Sequence, residues 1–547
     1  MNDLNTLKRV LLLYTDRYYL VRQVYPFGLD ILAHHLRRCG YEVHVEYPFL
    51  PDADLEINLR EILERTDPDL IGLGFRNLDT CMACETSGDL QGEGYRTFHF
   101  LSWFKKIVDI IREVRPDVPL VAGGGAFTMS PLTMLKNLDL GYGIIGEGEE
   151  PFQKFLESYP DTEKLSRVPN LVFLSGGEYR YNPRQKYVFP TERRAEREPK
   201  FHYAYHTSGL PVQIKRGCKQ HCSYCVEPML EGPRFVFRKT QEIIDELQDI
   251  CAKYDDVERI FFVDTEFNIP NLSYPSNLVK SIISSGLSDH FRFASQFLPR
   301  PFDFAFARSL SDAGFSIILT CDSFSDQVLA QNGCSYRREH ILQVLQMAED
   351  FGIDCTVSLV FGLPGETRET LDETLGYMMR YPAGPLRRYE YTIGGRIYPG
   401  TPLSRFAVTR AKAEDLYGEQ SEGFIAPYYY CSPDAPFRLK SYIDKAIPFA
   451  QVFENRFDSA DHTRLAIAYL ADQDKWSEAS ALFTRSELWV KGAVYDYFFK
   501  KLLKAGEKRE AIFISERFLA GIQESREREE YRDQIGIIQY YLGFLKG

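Results

Sequence analysis

The sequence predicts an α/β protein made of an open parallel sheet, an open six-stranded βα barrel and a C-terminal α-helical domain. Three observations carry that expectation. Apolar runs alternate with amphipathic segments over residues 1–195, the same alternation restarts over 196–405, and only helical periodicity remains beyond residue 441. A chain of 547 residues is also too long for one hydrophobic core. The natural division is 1–195, 196–405, and a closing segment with helical domain over 406–547.

In the first part, KRVLLLYT (8–15) reads as a buried strand and 26–40 as a helix ending at Gly40. YEVHVEYP (41–48) is a second strand, followed by a helix over LEINLREILERT. DLIGLGF (69–75) is a third strand, 99–116 a helix, and PLVAGGGA (119–126) a fourth strand. YGIIGEGEE (142–150) is a fifth strand, with a helix from Glu150, and 170–200 reads as a small β excursion and charged linker. Open parallel sheets bind ligands at the carboxyl ends of their strands. Three stretches fall there: Arg76-Asn77-Leu78-Asp79, Gly123-Gly124-Gly125 and Gly146-Glu147-Gly148-Glu149. Glycines admit a ligand close to the backbone, and arginine and carboxylates add directional contacts. Each stretch alone is more often a turn; their coincidence at one sheet edge is the signal. Cys81 and Cys84 (CMAC) lie in the loop over 76–98 and, without a partner pair, read as structural thiols; His34 and His35 read as helix residues.

The second series opens on VQIK and then RGCKQHCSYCVEP (216–228), which places Cys218, Cys222 and Cys225 at CxxxCxxC spacing. Three thiolates so close can hold three irons of a 4Fe–4S cubane and leave the fourth iron open to a substrate or cofactor. A zinc knuckle is the bland alternative, but no second CxxC pair follows and His221 is too near in sequence to complete one. Strands then follow at 259–267, 291–297, 316–323, 354–367 and 389–403, with helices between. Barrels of this kind gather functional groups at the C-terminal ends of their strands. Asp264, Glu266, Gln296, Arg300, Asp322, Ser323, Gly362, Gly365 and Glu366 fall at such ends, although Asp322 and Glu366 are also placed to cap helices. Cys251, Cys321, Cys334 and Cys355 share no spacing and read as core or surface thiols. Beyond the barrel, 424–436 is aromatic and proline-rich, and the remainder repeats apolar residues at three and four, as a helical domain does.

Composition narrows the class further. Hydrophobic content of 44% with 26% charged residues is ordinary for a globular protein, and a net charge of −12 lacks the basic footprint of a nucleic-acid binder. The N-terminal apolar run is too short for a signal peptide, and no span of membrane-crossing length occurs, so the expectation is a cytoplasmic protein with no membrane span and no nucleic-acid partner. Eleven unevenly placed cysteines suit a reducing compartment.

CKQHCSYC, with Tyr224 just before its last cysteine, resembles the signature of the radical S-adenosylmethionine (AdoMet) enzymes. PFGLDILAHHL, RNLD, the glycine run and GEGEE resemble the Rossmann-like cobalamin-binding domain that precedes the barrel in one large subfamily, whose methyltransferases are termed class B. The resemblance covers roughly the first 435 residues and implies three cofactors: a 4Fe–4S cluster, AdoMet and cobalamin. It implies cluster ligation by Cys218, Cys222 and Cys225, AdoMet contacts from Tyr224, Asp264, Glu266, Asp322, Ser323, Gly362 and Glu366, and a partial (βα)6 barrel. It implies that Arg76 lies near the lower face of cobalt, with Asn77, Asp79, Gly123, Gly124, Gly125, Gly146, Glu147, Gly148 and Glu149 around the cofactor. The chain has no DxHxxG motif, so no motif histidine is offered to cobalt, and TCDS departs from the commoner glycine-containing form.

The activity implied is methyl transfer, through methylcobalamin, to a carbon of a small-molecule or peptide substrate, with a reduced flavodoxin- or ferredoxin-type electron donor. Cyclisation or rearrangement with the same cofactors, and a radical AdoMet enzyme whose N-terminal domain no longer binds cobalamin, are the alternatives. No catalytic side chain is assigned by the sequence. The cluster and the cobalt are expected to face each other across a shared cavity.

Overall fold

A computed structural model of the chain describes residues 7–17, 24–50, 54–189, 194–452, 460–525 and 528–546. The first six residues and part of the predicted charged linker lie outside the described residues. Strands β1 (Arg9–Tyr14), β2 (Glu42–Glu46), β3 (Leu70–Gly74), β4 (Leu120–Gly123) and β5 (Tyr142–Ile144) form a parallel sheet in the order β2-β1-β3-β4-β5. β1 reads RVLLLY and is buried from Val10 onward, as a strand covered on both faces must be. The helices Phe27–Arg38 (α1), Leu55–Thr66 (α2), Leu101–Val114 (α3) and Glu149–Ser158 (α4) supply the covering layers. Gly72 is required by that packing: a Cβ there would lie 2.7 Å from Leu12 and 3.2 Å from Phe152 of α4. The β excursion expected after residue 170 extends the same sheet, because β6 (Leu171–Ser175) and β7 (Glu178–Tyr181) add antiparallel strands beyond β5.

The second sheet is parallel throughout and runs in chain order: β8 (Leu210–Val212), β9 (Arg259–Phe262), β10 (Arg292–Phe297), β11 (Phe315–Asp322), β12 (Cys355–Phe361), β13 (Arg387–Ile393) and β14 (Gln451–Val452). The short helix α5 (Ala204–Ser208) leads into β8. Helices Thr240–Lys253, Ser273–Ser284, Phe304–Asp312, Arg338–Asp350 and Arg368–Arg380 (α6–α10) cross between the strands. Six strands were expected; the seventh, β14, is two residues long and carries no periodicity to read. Along β11 and β12 fully buried residues alternate with half-buried ones, so one face packs on helices and the other faces the lumen.

Buried polar contacts fix the sheet unit against the barrel. Asp30 of α1 accepts hydrogen bonds from the backbone N–H groups of Glu196 (3.1 Å) and Arg197 (2.9 Å) and from the Tyr25 hydroxyl (2.8 Å). Arg197 then donates to Pro211 O on β8 (3.1 Å) and to Glu246 on α6 (2.6 Å). Leaving any one of these buried groups unpaired costs about 1–3 kcal/mol.

The C-terminal helices Ala460–Ala471, Trp476–Arg485, Leu488–Ala505, Lys508–Glu524 and Arg532–Lys546 (α11–α15) form the expected helical domain. It docks through Asp472, which accepts from the Tyr203 backbone N–H (2.8 Å) and pairs with Lys501 (2.8 Å). No helix among the described residues is long and apolar enough to cross a membrane.

Candidate active site

The three-cysteine loop leaves β8 and is closed at its base by antiparallel pairing of Lys215–Arg216 with Val236–Phe237. Gly217 turns the chain into the loop at φ +99°, where a Cβ would lie 2.1 Å from Arg234 O, so no other residue fits. The Gly217 N–H donates to Glu231 (3.0 Å), which also accepts from the Thr265 hydroxyl (2.7 Å). On the other flank, Ser223 bonds Asn332 through its N–H (2.9 Å) and its hydroxyl (2.5 Å). Tyr224 donates to Asp322 (2.6 Å), whose other oxygen accepts from Cys334 (3.3 Å). The loop is therefore braced on both sides before any metal arrives.

Burial pushes the Cys218 thiol up to about 11 and raises Cys225 as well; Cys222 is raised first by its contact with Cys334 and then by burial. These thiols stay protonated unless a cation compensates their charge, as a metal cluster does. Four ligands around zinc at about 2.3 Å would bring sulfurs to about 3.8 Å from one another. Among the described residues, the one set of three His, Cys, Asp or Glu ligand atoms lying within 4.8 Å of one another is His202, His206 and Asp256, not the cysteines. The three thiols are therefore not drawn together as closely as four sulfurs around zinc would be.

Around the loop, several buried polar atoms have no hydrogen-bond partner: Gln213 Oε1, Lys215 Nζ, Glu266 Oε2 and Glu366 Oε1. These four atoms, buried around one loop, are the groups free to bind a ligand there. Burial raises Glu266 to about 8, although Thr320 donates to its other oxygen at 3.0 Å. Burial likewise raises Glu366 to about 8, against a hydrogen bond from the Gly362 N–H. Glu366 does not cap α10; Thr367 does, accepting from the Thr370 N–H at 3.4 Å. Asp264 is raised to about 6 by burial and spends its carboxylate on the backbone N–H groups of Ile214 and Lys215. Asp322 holds Tyr224 and Cys334 from a left-handed backbone (φ +53°), and Ser323 bonds Thr374 and the Ser325 N–H, each at 3.0 Å. Asp264, Asp322 and Ser323 therefore brace the loop and strand ends, while Glu266 and Glu366 keep one free oxygen each.

A cavity of about 1020 Å³ lies against the carboxyl edge of the first sheet. Arg76, Gly123, Gly124, Gly125, Gly146, Glu147, Gly148 and Glu149 line it, as the sequence placed them at one edge. Two predicted residues are not part of that lining. Asn77 lies outside it, and Asp79 is wholly buried in an ion pair with Arg396 (2.7 Å), its other oxygen capping the Cys81 N–H (2.9 Å). The expectation that Asp79 faces a cofactor is corrected: its charge is spent tying the 76–98 loop to the segment after β13. Cys81 donates to or accepts from the Tyr398 hydroxyl at 2.8 Å in the same joint. His34 and His35 bond Glu196 and Gln153, in keeping with ordinary helix residues.

The cavity continues past the cysteine loop, where Arg216, Glu227, Leu230 and Glu231 line it, and into the barrel lumen at Gln296, Ser316 and Glu390; Arg300 is exposed elsewhere. Arg76 is held by Asp16 at 3.0 Å, and Arg216 crosses to Glu147 at 3.1 Å. Glu227 is raised to about 7, mainly by burial and then by Glu231. Sequence reasoning missed Gln213, Lys215, Arg216, Glu227 and Glu231. Their signal was adjacency: polar residues just before Cys218, and two carboxylates one helical turn apart just after Cys225.

Residues 212–378 match the family model of the radical SAM superfamily, and residues 20–156 match that of the B12 binding domain. Tryptophan 2-C-methyltransferase of Streptomyces laurentii is 24% identical over 448 residues, spanning 70% of this chain and 71% of that protein. The fold is shared with the radical S-adenosylmethionine methyltransferase TsrM from Kitasatospora setae, solved with cobalamin and a 4Fe–4S cluster (TM-score 0.70, 21% identity, 84% of this chain and 95% of that one). It is shared also with OxsB, a cobalamin-dependent S-adenosylmethionine radical enzyme (TM-score 0.63, 15% identity, 99% of this chain and 83% of that one).

Proposed function

We propose that this chain, which belongs to the radical S-adenosylmethionine proteins carrying a B12-binding domain, is a cobalamin-dependent C-methyltransferase acting on a small-molecule or peptide substrate. One observation carries the reading: a single cavity is lined both by the glycine-rich sheet edge and by the loop bearing the three cysteines' neighbours. When bound, the cluster, AdoMet and cobalamin supply the electron, the methyl source and the methyl carrier.

The chain's own residues do the binding and positioning. Cys218, Cys222 and Cys225 would hold the cluster. Glu266 and Glu366, each with a free carboxylate oxygen, and Lys215 and Gln213 would bind the charged and polar ends of AdoMet. An ammonium arriving at Glu266 would draw off its proton, so AdoMet binding releases acid near neutral pH. Arg76 and the glycines at 123–125, 146 and 148 would take the corrin side of the cavity, where a Cβ on Gly123 meets nothing nearer than 4.0 Å. Glu227, poised at about 7 on the cavity wall, is the residue best suited to hold or move a proton beside substrate. A flavodoxin- or ferredoxin-type donor would reduce the cluster. The Streptomyces laurentii relative is named for tryptophan, so aromatic amino acids and peptides containing them head the substrate panel.

The test is anaerobic reconstitution with iron, sulfide and cobalamin, followed by turnover with AdoMet labelled in its methyl group. Label in the product together with S-adenosylhomocysteine supports the assignment. A converted but unlabelled product replaces methyl transfer with cyclisation or rearrangement, and failure to bind cobalamin removes the corrin from the proposal.

A further inference from the structure

A cluster of metal-ligating side chains outside the cavity lining lies at the opposite end of the barrel from the cysteines. His202 and His206 flank the start of α5 with the i, i+4 spacing that puts two imidazoles on one helical face. Asp256 comes from the turn before β9. Its Oδ2 lies 2.9 Å from His202 Nε2 and 3.6 Å from His206 Nε2, and all three ligand atoms fall within 4.8 Å of one another. Tetrahedral zinc, with ligands at about 2.0–2.1 Å, needs its ligand atoms about 3.3 Å apart. The two Asp256–histidine separations bracket that value, and the third, between the imidazoles, lies within 4.8 Å.

The rings are held from outside the triad. His202 packs on Tyr205 (5.0 Å) and Tyr254 (5.7 Å), and His206 packs edge-on against Tyr497 (5.1 Å) of α13. His206 and Asp256 are partly open to solvent, which gives an ion a way in and leaves a coordination position for water.

We propose that His202, His206 and Asp256 form a structural site for a divalent transition ion that favours imidazole and carboxylate, zinc foremost. The ion would staple the segment entering β8 to the turn entering β9, next to the point where α13 docks. It takes no part in the reaction, because strand N-termini lie at the far end of the barrel from the cysteine loop.

The probe is the metal alone. The full-length chain carrying Cys218→Ala, Cys222→Ala and Cys225→Ala is stripped with chelator and titrated with Zn²⁺ and with Co²⁺. One equivalent should bind, Co²⁺ should give a tetrahedral d–d band without thiolate charge transfer, and the melting temperature should rise with metal. His206→Gln and Asp256→Asn should each abolish the band and the thermal shift, the shift being taken against each variant's own metal-free melting temperature. In a second arm, the cluster-loaded wild-type protein should hold one zinc that His206→Gln removes while iron content stays constant. Metal retained by both variants, or no stoichiometric binding in either arm, overturns the assignment.

Discussion

Arg216 and Glu147 lie 3.1 Å apart, joining the residue that opens the cysteine loop to the glycine-rich edge of the first sheet. Glu147 is nearly buried and also faces Arg184 at 3.4 Å, and Arg184 in turn donates to Met229 O (2.8 Å) just beyond the loop. One carboxylate thus serves two guanidiniums, Arg216 from the cysteine loop and Arg184 from the segment after β7, which itself reaches across to the loop's far end. Arg216→Met should cost about 1–3 kcal/mol, since Glu147 keeps Arg184. Removing both arginines leaves a buried carboxylate unpaired and should cost about 3–5 kcal/mol. Urea midpoints of the cofactor-free variants measure this; a double variant no weaker than the single one would show that Glu147 needs neither partner.

Adjacent glycines in the 123–125 run should respond in opposite ways. Gly123 has open space where a Cβ would go, on the cavity wall. Gly124 has φ +95°, and a Cβ there would lie 2.4 Å from Phe75 O. Gly123→Val should leave the fold intact and weaken cobalamin binding by occupying ligand space. Gly124→Ala should lower the melting temperature outright, by a backbone strain of about 1–3 kcal/mol. Spectrophotometric cobalamin titration and thermal melts separate the two effects, and a Gly123→Val variant with unchanged affinity would remove that wall from the cofactor site.

The buried pair Asp79–Arg396 spans 317 residues of sequence and ties the loop after β3 to the segment after β13. Asp79→Ala leaves a guanidinium that is 3% exposed without its counter-charge and should cost about 3–5 kcal/mol. The loss should appear in stability and in protease sensitivity of the 76–98 loop. Cobalamin affinity at saturating folded protein should stay unchanged, because Asp79 does not line the cavity.

The cysteine motif predicts a sharper contrast. Cys218→Ala, Cys222→Ala or Cys225→Ala should each abolish the visible absorbance of the reconstituted cluster. Cys334→Ala should retain iron and sulfide, even though Cys334 lies against Cys222 and Asp322. Loss of iron in the Cys334 variant would make the motif a four-thiol site and close the open iron.

The parallel strands and the cysteine loop were legible because their signals are local. A run such as RVLLLY can be buried on both faces only inside a layered sheet, and CxxxCxxC needs no partner elsewhere in the chain. The sheet edge was legible too, because three stretches that are each more often turns coincide at one set of strand ends. Asp79 misled because a carboxylate beside Arg76 looks the same in sequence whether it faces a ligand or an arginine 317 residues away. Lys215 and Glu227 were overlooked for the related reason that their burial is created by other segments. The two-residue strand β14 had no pattern to show.

Glu366 gives the clearest pH dependence. Its ordinary value is 4.5, and burial lifts it to about 8 in the folded chain. Between those values the folded protein holds a proton that the unfolded chain has lost. The stability this contributes is therefore full below 4.5 and declines as pH rises toward 8, by about 1.4 kcal/mol per pH unit. Glu366→Gln keeps an acceptor for the Gly362 N–H and abolishes the titration. Asp30, Glu227 and Glu266, also raised by burial, slope the same way in both proteins, so the difference between them isolates Glu366. Melting temperatures of the cofactor-free proteins at about pH 5 and about pH 8 should fall further for the wild type than for the variant. Equal falls would mean that Glu366 ionises at its ordinary value and that its free oxygen is hydrated rather than reserved for a ligand.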